Sequence, residues 1–188
     1  MSNVNIVVGL SGVGKSTVLE EAMKLASQQY DIINYGDRML ETARDMDLVQ
    51  SRDELKNIDS ETQVEVQRKA AESILEDAQE GNIIVDTHAA IQTPQGYLPG
   101  LPKWTIENLE PEHLVLIDAS SEEIYERTME DGSRNREHDS PEQIEEYRNT
   151  AKRMLSAGAV LTGSYMETVM NHDGEVQRAA QDLVNTLE

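Results

Sequence analysis

The sequence VNIVVGLSGVGKST, residues 4–17, decides how this chain folds. Its first five residues form an apolar run typical of a buried strand, and the helix-forming segment VLEEAMKL, residues 18–25, follows it. Between the two lies the phosphate-binding pattern GxxxxGK[ST]. Its members are Gly9, Leu10, Ser11, Gly12, Val13, Gly14, Lys15, Ser16 and Thr17. A strand, this loop and a helix in that order predict a P-loop.

The spacing of the loop residues has a physical reason. Glycines at positions 9, 12 and 14 let the backbone wrap around an anion with several N–H groups directed inward, and the following helix adds its positive N-terminal end. Lys15 is placed for β- and γ-phosphates, and the hydroxyl of Ser16 is a ligand for Mg²⁺. The loop therefore predicts binding of ATP with Mg²⁺. The alternative, a glycine-rich turn with a surface lysine, is disfavoured because the strand, loop and helix patterns agree.

The composition is strongly acidic. The 188 residues, enough for one domain, include 36 Asp and Glu against 16 Lys and Arg, for a net charge of −20. Such a surface repels nucleic acid and anionic membranes, so neither is expected as a partner. The charge, the absence of Phe and the shortage of Lys favour a protein from a salt-adapted, halophilic organism.

Targeting and redox features are lacking in the sequence. There is no cysteine, which excludes disulfides and thiolate metal sites. No signal-peptide pattern precedes the first strand, and no segment is long and apolar enough for a membrane span. We therefore expect a cytoplasmic protein.

Strand and helix patterns alternate along the rest of the chain. Further strands are predicted at residues 30–34, 82–86, 113–118 and 165–171, and helices at 38–46, from 51, 60–79, 104–109, 121–129, 141–160 and 175–187. The alternation predicts an α/β fold of the P-loop NTPase type, with three α/β/α layers and a five-stranded, mostly parallel sheet. Residues 1–188 form a single domain in this interpretation, with a small helical insertion at about 36–80 and a short lid at about 131–139.

Asp86 ends the apolar run of the third predicted strand. The carboxyl ends of parallel strands form the ligand edge of the sheet, so this carboxylate is expected near the P-loop. Its predicted role is that of a Walker-B type carboxylate that holds Mg²⁺. The alternative is a helix N-cap or turn aspartate, although no N-cap pattern follows directly.

The segment 87–102 is rich in Pro and Gly, and is predicted to be a long loop. Loops of this length in compact domains are usually functional or disordered. Its apolar residues, Tyr97, Leu98 and Leu101, disfavour disorder. Two roles remain open from the chemistry alone: a wall for a nucleotide base, or simple packing against the body of the protein.

Several cations follow predicted strands or lie in the insertion and lid. They are Lys15, Arg38, Arg52, Arg134 and Arg136. Phosphoryl transfer between two anionic substrates needs cations at the donor, the acceptor and the group in flight. Surface ion pairs, worth about 0–1 kcal/mol each, are the alternative for the arginines. The four histidines lack metal-ligand spacing, and only His88 falls at a ligand edge. Because no nucleophile–base pair is evident, a phosphate acceptor is favoured over a hydroxyl.

Five segments together resemble the archaeal-type adenylate kinases over essentially the whole chain. They are GLSGVGKST (9–17), INYGD (33–37), DTH (86–88), TPQGYLPGLP (93–102) and SRNR (133–136). The P-loop is shared by many unrelated enzymes, whereas NYGD and TPxGYLPGLP are much more specific. The resemblance implies ATP + AMP ⇌ 2 ADP with Mg²⁺, an AMP-binding insertion, a short lid and a homo-oligomer, typically a trimer.

The resemblance also implies roles for individual residues. Residues 9–17 would bind the ATP phosphates, with Lys15 stabilising the transferring group, and Arg134 and Arg136 would act from the lid. The residues assigned to AMP are Asp37, Arg38, Arg52, Thr93, Gly96 and Tyr97. The family pattern places an arginine near position 152, where this chain has Lys152, with Arg153 next to it and Arg148 one turn earlier.

Two other functions remain as alternatives. One is a small P-loop kinase that acts on a different nucleoside monophosphate or on a small alcohol. The other is a nucleotide switch that does not transfer phosphate. The switch is disfavoured because the chain has no NKxD guanine motif: the nearest segment, NHDG at 171–174, lacks the lysine.

Overall fold

Seven strands and eight helices occur in the residues that the computed structural model describes, which are 3–55, 57–130 and 140–188. The strands are β1 (Val4–Val8), β2 (Tyr30–Asn34), β3 (Asn82–Thr87), β4 (Ala90–Thr93), β5 (Gly96–Pro99), β6 (His113–Asp118) and β7 (Tyr165–Met170). The helices are α1 (Lys15–Leu25), α2 (Tyr35–Asp45), α3 (Arg52–Leu55), α4 (Ser60–Asp77), α5 (Lys103–Leu109), α6 (Ser121–Glu130), α7 (Pro141–Thr162) and α8 (Val176–Leu187). Within the described ranges, no helix is long and apolar enough to cross a membrane.

Five of the strands form one sheet in the order β2-β3-β1-β6-β7, and every neighbouring pair is parallel. The last residue of β1, Val8, lies opposite Thr87 of β3 and Leu116 of β6. After β1, the chain first adds β2 and β3 on one side of this central strand. It then adds β6 and β7 on the other side. Ligands bind α/β sheets at the carboxyl ends of strands beside such a change of direction. The P-loop leaves β1 at this place.

The core lies between the sheet and two groups of helices. All five residues of β1 are buried, as are Ile83–Val85 of β3 and Leu114–Ile117 of β6. Helices α1 and α8 pack against each other, and α5 packs against both α4 and α7. These layers confirm the predicted α/β/α architecture. Strands buried on both faces read as continuous apolar runs, which is why the sequence revealed them.

A second, smaller cluster of buried side chains lies in the predicted insertion. It is formed by Ala43, Val49 and Val66, with partly buried side chains of α2, α3 and the connecting segments around it. Helix α4 takes part in both cores, because Val66 belongs to this cluster while Ala70, Ala71 and Ile74 belong to the main one. The helix therefore connects the insertion to the body of the protein.

The segment from residue 87 to residue 102 differs from the predicted loop. Strands β4 and β5 pair antiparallel as a hairpin, with Thr93 opposite Gly96. Thr93 closes the turn, since its hydroxyl donates to the carbonyl oxygen of Gly96 at 2.8 Å. Gly96 has a φ of 127°, which a residue with a side chain rarely adopts. The Pro and Gly residues obscured two short strands.

Two helix boundaries also differ. Helix α4 begins at Ser60 as predicted but ends at Asp77 rather than residue 79, and its N-cap is Asp59, whose carboxylate accepts the N–H groups of Glu61 and Thr62 at 3.0 Å each. Helix α7 begins at Pro141 as predicted, with Ser140 as its N-cap, and extends to Thr162 rather than residue 160. Gly163, with a φ of 75°, ends it.

Candidate active site

The P-loop takes a conformation that depends on its glycines. Gly12 and Gly14 have φ values of 89° and 80°. A Cβ atom on Gly9 would lie 2.9 Å from Cγ2 of Val13 and 3.0 Å from the carbonyl oxygen of Ile117. Gly14 is the N-cap of α1, so the helix begins at Lys15 and directs its free N–H groups at the loop. The loop is thus arranged to surround an anion.

A cavity of about 470 Å³ opens over the P-loop. It brings together most of the predicted nucleotide-binding residues with the carboxyl ends of neighbouring strands. The described residues that line it are Leu10, Ser11, Gly12, Gly14, Lys15, Ser16, Thr17, Asn34, Asp86, His88 and Arg127. The prediction that Asp86 and His88 lie at the ligand edge near the loop agrees with this arrangement.

Lys15 and Asp86 form an ion pair inside the cavity. The Nζ atom of Lys15 contacts Oδ1 of Asp86, and their side chains are only 10% and 16% exposed. Burial lowers the pKa of Lys15 to about 8, whereas the adjacent carboxylate favours the charged form. Within the described residues, this buried Oδ1 has no hydrogen-bond partner apart from the contact with the amine. The cavity therefore contains a cation and a carboxylate that contact each other, and both are groups that a nucleotide with Mg²⁺ can use as ligands.

The donor groups at this edge fit Mg²⁺. An unsatisfied carboxylate oxygen on Asp86 and the hydroxyl of Ser16 line the same cavity. Mg²⁺ commonly takes only one or two protein oxygens and completes its octahedron with phosphate oxygens and water. The described residues contain no group of three or more His, Cys, Asp or Glu side chains that could hold a metal by themselves. Any Mg²⁺ here would therefore arrive with the phosphates of a nucleotide.

Two predicted phosphate-binding arginines lie in the insertion and are paired there. Arg38 donates to the hydroxyl of Ser73 at 2.8 Å and to Asp77 at 2.7 Å. Arg52 donates to Asp37 at 2.6 Å. Neither arginine lines the P-loop cavity. An anionic ligand would compete with these carboxylates for the two guanidinium groups.

The remaining predicted substrate residues lie away from the cavity or outside the description. Thr93 and Gly96 form the hairpin turn, and the ring of Tyr97 packs against that of Tyr147 on α7, with centroids 5.4 Å apart. In this structure the side chain of Tyr97 therefore packs against the body of the protein. Arg134 and Arg136, with the predicted lid at 131–139, lie outside the described residues.

Comparison with known proteins gives the family. The AAA domain family model matches residues 8–145. The chain is 42% identical to the adenylate kinase of Methanothermobacter thermautotrophicus, over 98% of this chain and 99% of that protein. It is 42% identical to the adenylate kinase of Methanopyrus kandleri, over 100% and 98% of the two chains. The adenylate kinase of Sulfurisphaera tokodaii is 39% identical, with 98% of each chain covered.

The chain belongs to the adenylate kinase family. Solved structures agree at the level of the fold. Shikimate kinase from Acinetobacter baumannii, in complex with shikimate, superposes with a TM-score of 0.55 at 16% identity and covers 98% of this chain and 92% of its own. An uncharacterized protein from Eubacterium ventriosum gives a TM-score of 0.52 at 11% identity, with 98% and 97% covered. These likenesses confirm the P-loop kinase fold.

In this adenylate kinase family member, Arg148 is the basic residue of α7 that reaches the sheet edge. Its guanidinium donates two hydrogen bonds to the carboxylate of Asp118, at 2.8 and 2.9 Å, where β6 ends. The side chains of Lys152 and Arg153 are exposed. Ile117, one residue before Asp118, approaches the P-loop at Gly9. Of these three basic residues, Arg148 is the one whose hydrogen bonds place it at the carboxyl end of β6, the strand next to β1.

Three residues of this edge were missed in the sequence. Asn34 lies opposite Asp86 in the register of β2 and β3, Arg127 lines the cavity from α6, and Asn171 follows β7. Their positions after or near strand ends were a usable signal for Asn34 and Asn171. The sequence contains no comparable signal for Arg127, because this residue lies within a charged helix among several possible carboxylate partners.

The side chain of Glu123, on α6, forms hydrogen bonds both with the loop after β7 and with the residue that precedes α6. Its carboxylate accepts hydrogen bonds from the backbone N–H groups of Asp173 and Ser120 at 2.9 Å each, and from the hydroxyl of Ser120 at 2.7 Å. Burial raises the pKa of Glu123, but these bonds and the nearby ring of His172 outweigh it and hold the pKa at about 2. The carboxylate thus stays ionised and fixes the wall of the cavity that carries Arg127.

Proposed function

We propose that the chain is an adenylate kinase that catalyses ATP + AMP ⇌ 2 ADP with Mg²⁺. The observation that carries this proposal is the identity of about two residues in five to named adenylate kinases, 42% over 98% of the chain. The P-loop cavity with its Lys15–Asp86 pair supports it, because both residues match the chemistry of a phosphoryl donor site.

Lys15 is proposed to change partners when ATP binds. Its amine leaves Asp86 and donates to the β- and γ-phosphate oxygens, where its charge stabilises the group in transfer. Asp86 and Ser16 are then free to hold Mg²⁺. When bound, Mg²⁺ would neutralise charge on the phosphate oxygens. The backbone N–H groups of residues 9–17 orient the phosphates, so catalysis here consists of positioning and electrostatic stabilisation.

The acceptor side of the site is a proposal from family resemblance. Arg38 and Arg52, with Asp37, would hold the phosphate of AMP, and the hairpin residues Thr93, Gly96 and Tyr97 would help to enclose its base. The insertion at about 36–80 would form this AMP-binding lobe. Its separate small core supports that division. Arg134 and Arg136, in a lid at about 131–139, would supply cations late in the reaction.

The decisive experiment is a coupled assay for ADP with a panel of acceptors. ADP formed from ATP with AMP, and not with CMP, UMP or shikimate, is the expected result. Turnover with shikimate or another alcohol would overturn the proposal in favour of a different small P-loop kinase. Tight ATP binding with no acceptor-dependent turnover would indicate a nucleotide switch instead.

We also propose a homotrimer in the cytoplasm, where ATP and AMP are available. Exposed apolar side chains at the end of α7 and the start of β7 support self-association: Val160 is 84% exposed, Leu161 52% and Tyr165 72%. Strand β7 is an edge of the sheet, and exposed edges favour pairing. Light scattering on the purified protein tests the trimer, and Tyr165→Lys should weaken it if this face is buried between copies.

A salt-adapted, halophilic source is proposed from the charge alone. A net charge of −20 on 188 residues produces strong self-repulsion at low ionic strength.

A further inference from the structure

A buried amide side chain holds the P-loop from the other end of the sequence. Asn171, the residue after β7, is only 6% exposed. Its Nδ2 donates to the carbonyl oxygen of Val13 at 2.7 Å, across 158 positions of sequence. Its backbone N–H donates to the carbonyl oxygen of Asp118 at 2.7 Å. Asn171 therefore connects the P-loop to the ends of two strands.

Arg127 supports the same contact from α6. Its Nη2 donates to the carbonyl oxygen of Asn171 at 2.9 Å, and its Nη1 donates to that of Val13 at 3.4 Å. Its Nε donates to Asp173 at 2.8 Å. Val13, Asn171 and Arg127 thus form a closed ring of hydrogen bonds beside the loop. The carbonyl group of Val13 receives two donors and has a fixed direction.

The direction of that carbonyl decides where the next N–H group points. The peptide bond between Val13 and Gly14 is planar and trans, since no cis peptide bond occurs in the described residues. In a trans peptide the N–H points away from the preceding C=O. With the Val13 carbonyl held against Asn171, the N–H of Gly14 is directed to the opposite side. Gly14 itself lines the P-loop cavity.

The fit between Asn171 and Gly14 is close. Gly14 has a φ of 80°, and a Cβ atom on it would lie 2.6 Å from Nδ2 of Asn171. No side chain can occupy this space while the amide bonds Val13. The glycine at position 14 is therefore required both by its backbone conformation and by the amide that lies against it.

We propose that Asn171 is a positioning residue for the phosphoryl donor. It aligns the Val13–Gly14 peptide so that the N–H of Gly14 points at a phosphate oxygen of the bound nucleotide, and it does so without touching the nucleotide through its side chain. The proposal rests on the proposed function only for the identity of the donor as ATP. The same alignment would serve any nucleoside triphosphate in this P-loop.

The test uses an isosteric exchange at Asn171 with a matched control. Asn171→Asp replaces the N–H donor by an acceptor that faces the Val13 carbonyl. Asn171→Leu removes the donor without adding charge. Asn185→Asp on α8 is the control, because Asn185 is exposed and its Oδ1 accepts a hydrogen bond from Gln181, which an aspartate can still do. The control adds the same negative charge to the protein.

Binding of ATP is measured by calorimetry without AMP, well below the melting temperature of the weakest variant. Both Asn171 variants should raise the Kd for ATP by about tenfold or more, because the carbonyl of Val13 then keeps only the longer hydrogen bond from Arg127 and its peptide is no longer held in place. In steady-state assays the KM for ATP should rise, while the KM for AMP changes by less than about twofold. Asn185→Asp should match the wild type in all three quantities.

Three results would overturn the proposal. One is a lower melting temperature with an unchanged Kd for ATP, which indicates a purely structural role. The second is weaker binding in Asn171→Asp but not in Asn171→Leu, which indicates charge repulsion alone. The third applies if neither variant folds, and it uses NMR spectra of the wild type. The proposal fails if the side-chain N–H protons of Asn171 exchange freely with solvent and their resonances do not shift on addition of ATP. A wild type that binds ATP without AMP turnover would instead contradict the proposed function and leave this test valid.

Discussion

Lys15 is buried beside a carboxylate, and that position determines what its loss would cost. The pair with Asp86 holds both side chains in the cavity. A cation directed at the transferring group acts in the transition state more than in the ground state. The proposed catalytic contribution of Lys15 can be measured separately from its contribution to folding by comparing turnover with thermal stability.

Lys15→Ala should lower kcat/KM by about 100- to 1000-fold, as for other groups that stabilise transition-state charge. The measurement is the steady-state rate of ADP formation from ATP and AMP, together with a melting curve. Lys24→Ala is the control, since Lys24 lies on the same helix, is 65% exposed and pairs only with Glu21 in the described structure. A turnover near that of the wild type would contradict the role of Lys15.

Glu123 gives a prediction about pH. Its pKa is lowered from an ordinary 4.5 to about 2 in the folded protein. Between these values the unfolded chain binds a proton that the folded protein does not, so the stabilisation by Glu123 is present above about pH 4.5 and is lost as the pH falls towards 2. Glu123→Gln should therefore be less stable than the wild type near neutral pH, and the difference should shrink in acid.

Denaturant unfolding at several pH values measures this difference. Glu20→Gln, at an exposed position on α1, serves as the control for the removal of one negative charge. A difference between Glu123→Gln and the wild type that does not change with pH would show that the hydrogen bonds to the carboxylate do not depend on its charge.

Among the elements, the β4–β5 hairpin is attached to the body through a close backbone contact. The N–H of Gly100 donates to the carbonyl oxygen of Ala89 at 2.9 Å. A Cβ atom on Gly100 would lie 1.9 Å from the carbonyl oxygen of His88. On the other side of the hairpin, the hydroxyl of Tyr147 on α7 donates to the carbonyl oxygen of Ala90 at 2.7 Å. The hairpin is thus fixed next to the residues that follow Asp86.

Gly100→Ala should destabilise the protein by about 3 kcal/mol or more, since the new methyl group meets backbone atoms that cannot rotate away. Gly81→Ala is the matched control, because nothing lies within 4 Å of a Cβ at that position. Its effect should stay within about 0.5 kcal/mol. Equal melting temperatures for the two variants would contradict the close contact described for Gly100.

The elements also separate what the sequence could predict from what it could not. The three central strands, β1, β3 and β6, contain continuous apolar runs, and the P-loop pattern follows the first of them, so the fold could be predicted from the sequence. The hairpin was not, because each of its strands has only four residues and the Pro and Gly between them indicate a loop. The site depends further on pairings such as Asn171 with Val13, which join residues far apart in sequence and leave no local pattern.

At the scale of the whole molecule, the net negative charge is expected to determine how stability depends on salt. With a net charge of −20, like-charge repulsion acts over the entire surface, and its range falls from about 10 Å at 0.1 M salt to about 3 Å at 1 M. The melting temperature should therefore rise when KCl is increased from about 0.1 M to about 1 M. Sucrose at matched water activity is the control for general solvent effects. A melting temperature independent of KCl would contradict salt adaptation.

The parallel sheet has a consequence for the order of events during synthesis. β1 emerges from the ribosome first, but its two neighbours begin at residues 82 and 113, and parallel pairing allows no hairpin to bring them earlier. Asn171, which holds the loop after β1, emerges later still. The P-loop is thus translated before the other parts of the site, but it acquires its hydrogen bond from Asn171 only after most of the chain has been made. Nascent chains should remain unable to retain nucleotide until most of the protein has been made, and should need protection of their apolar first strand until then.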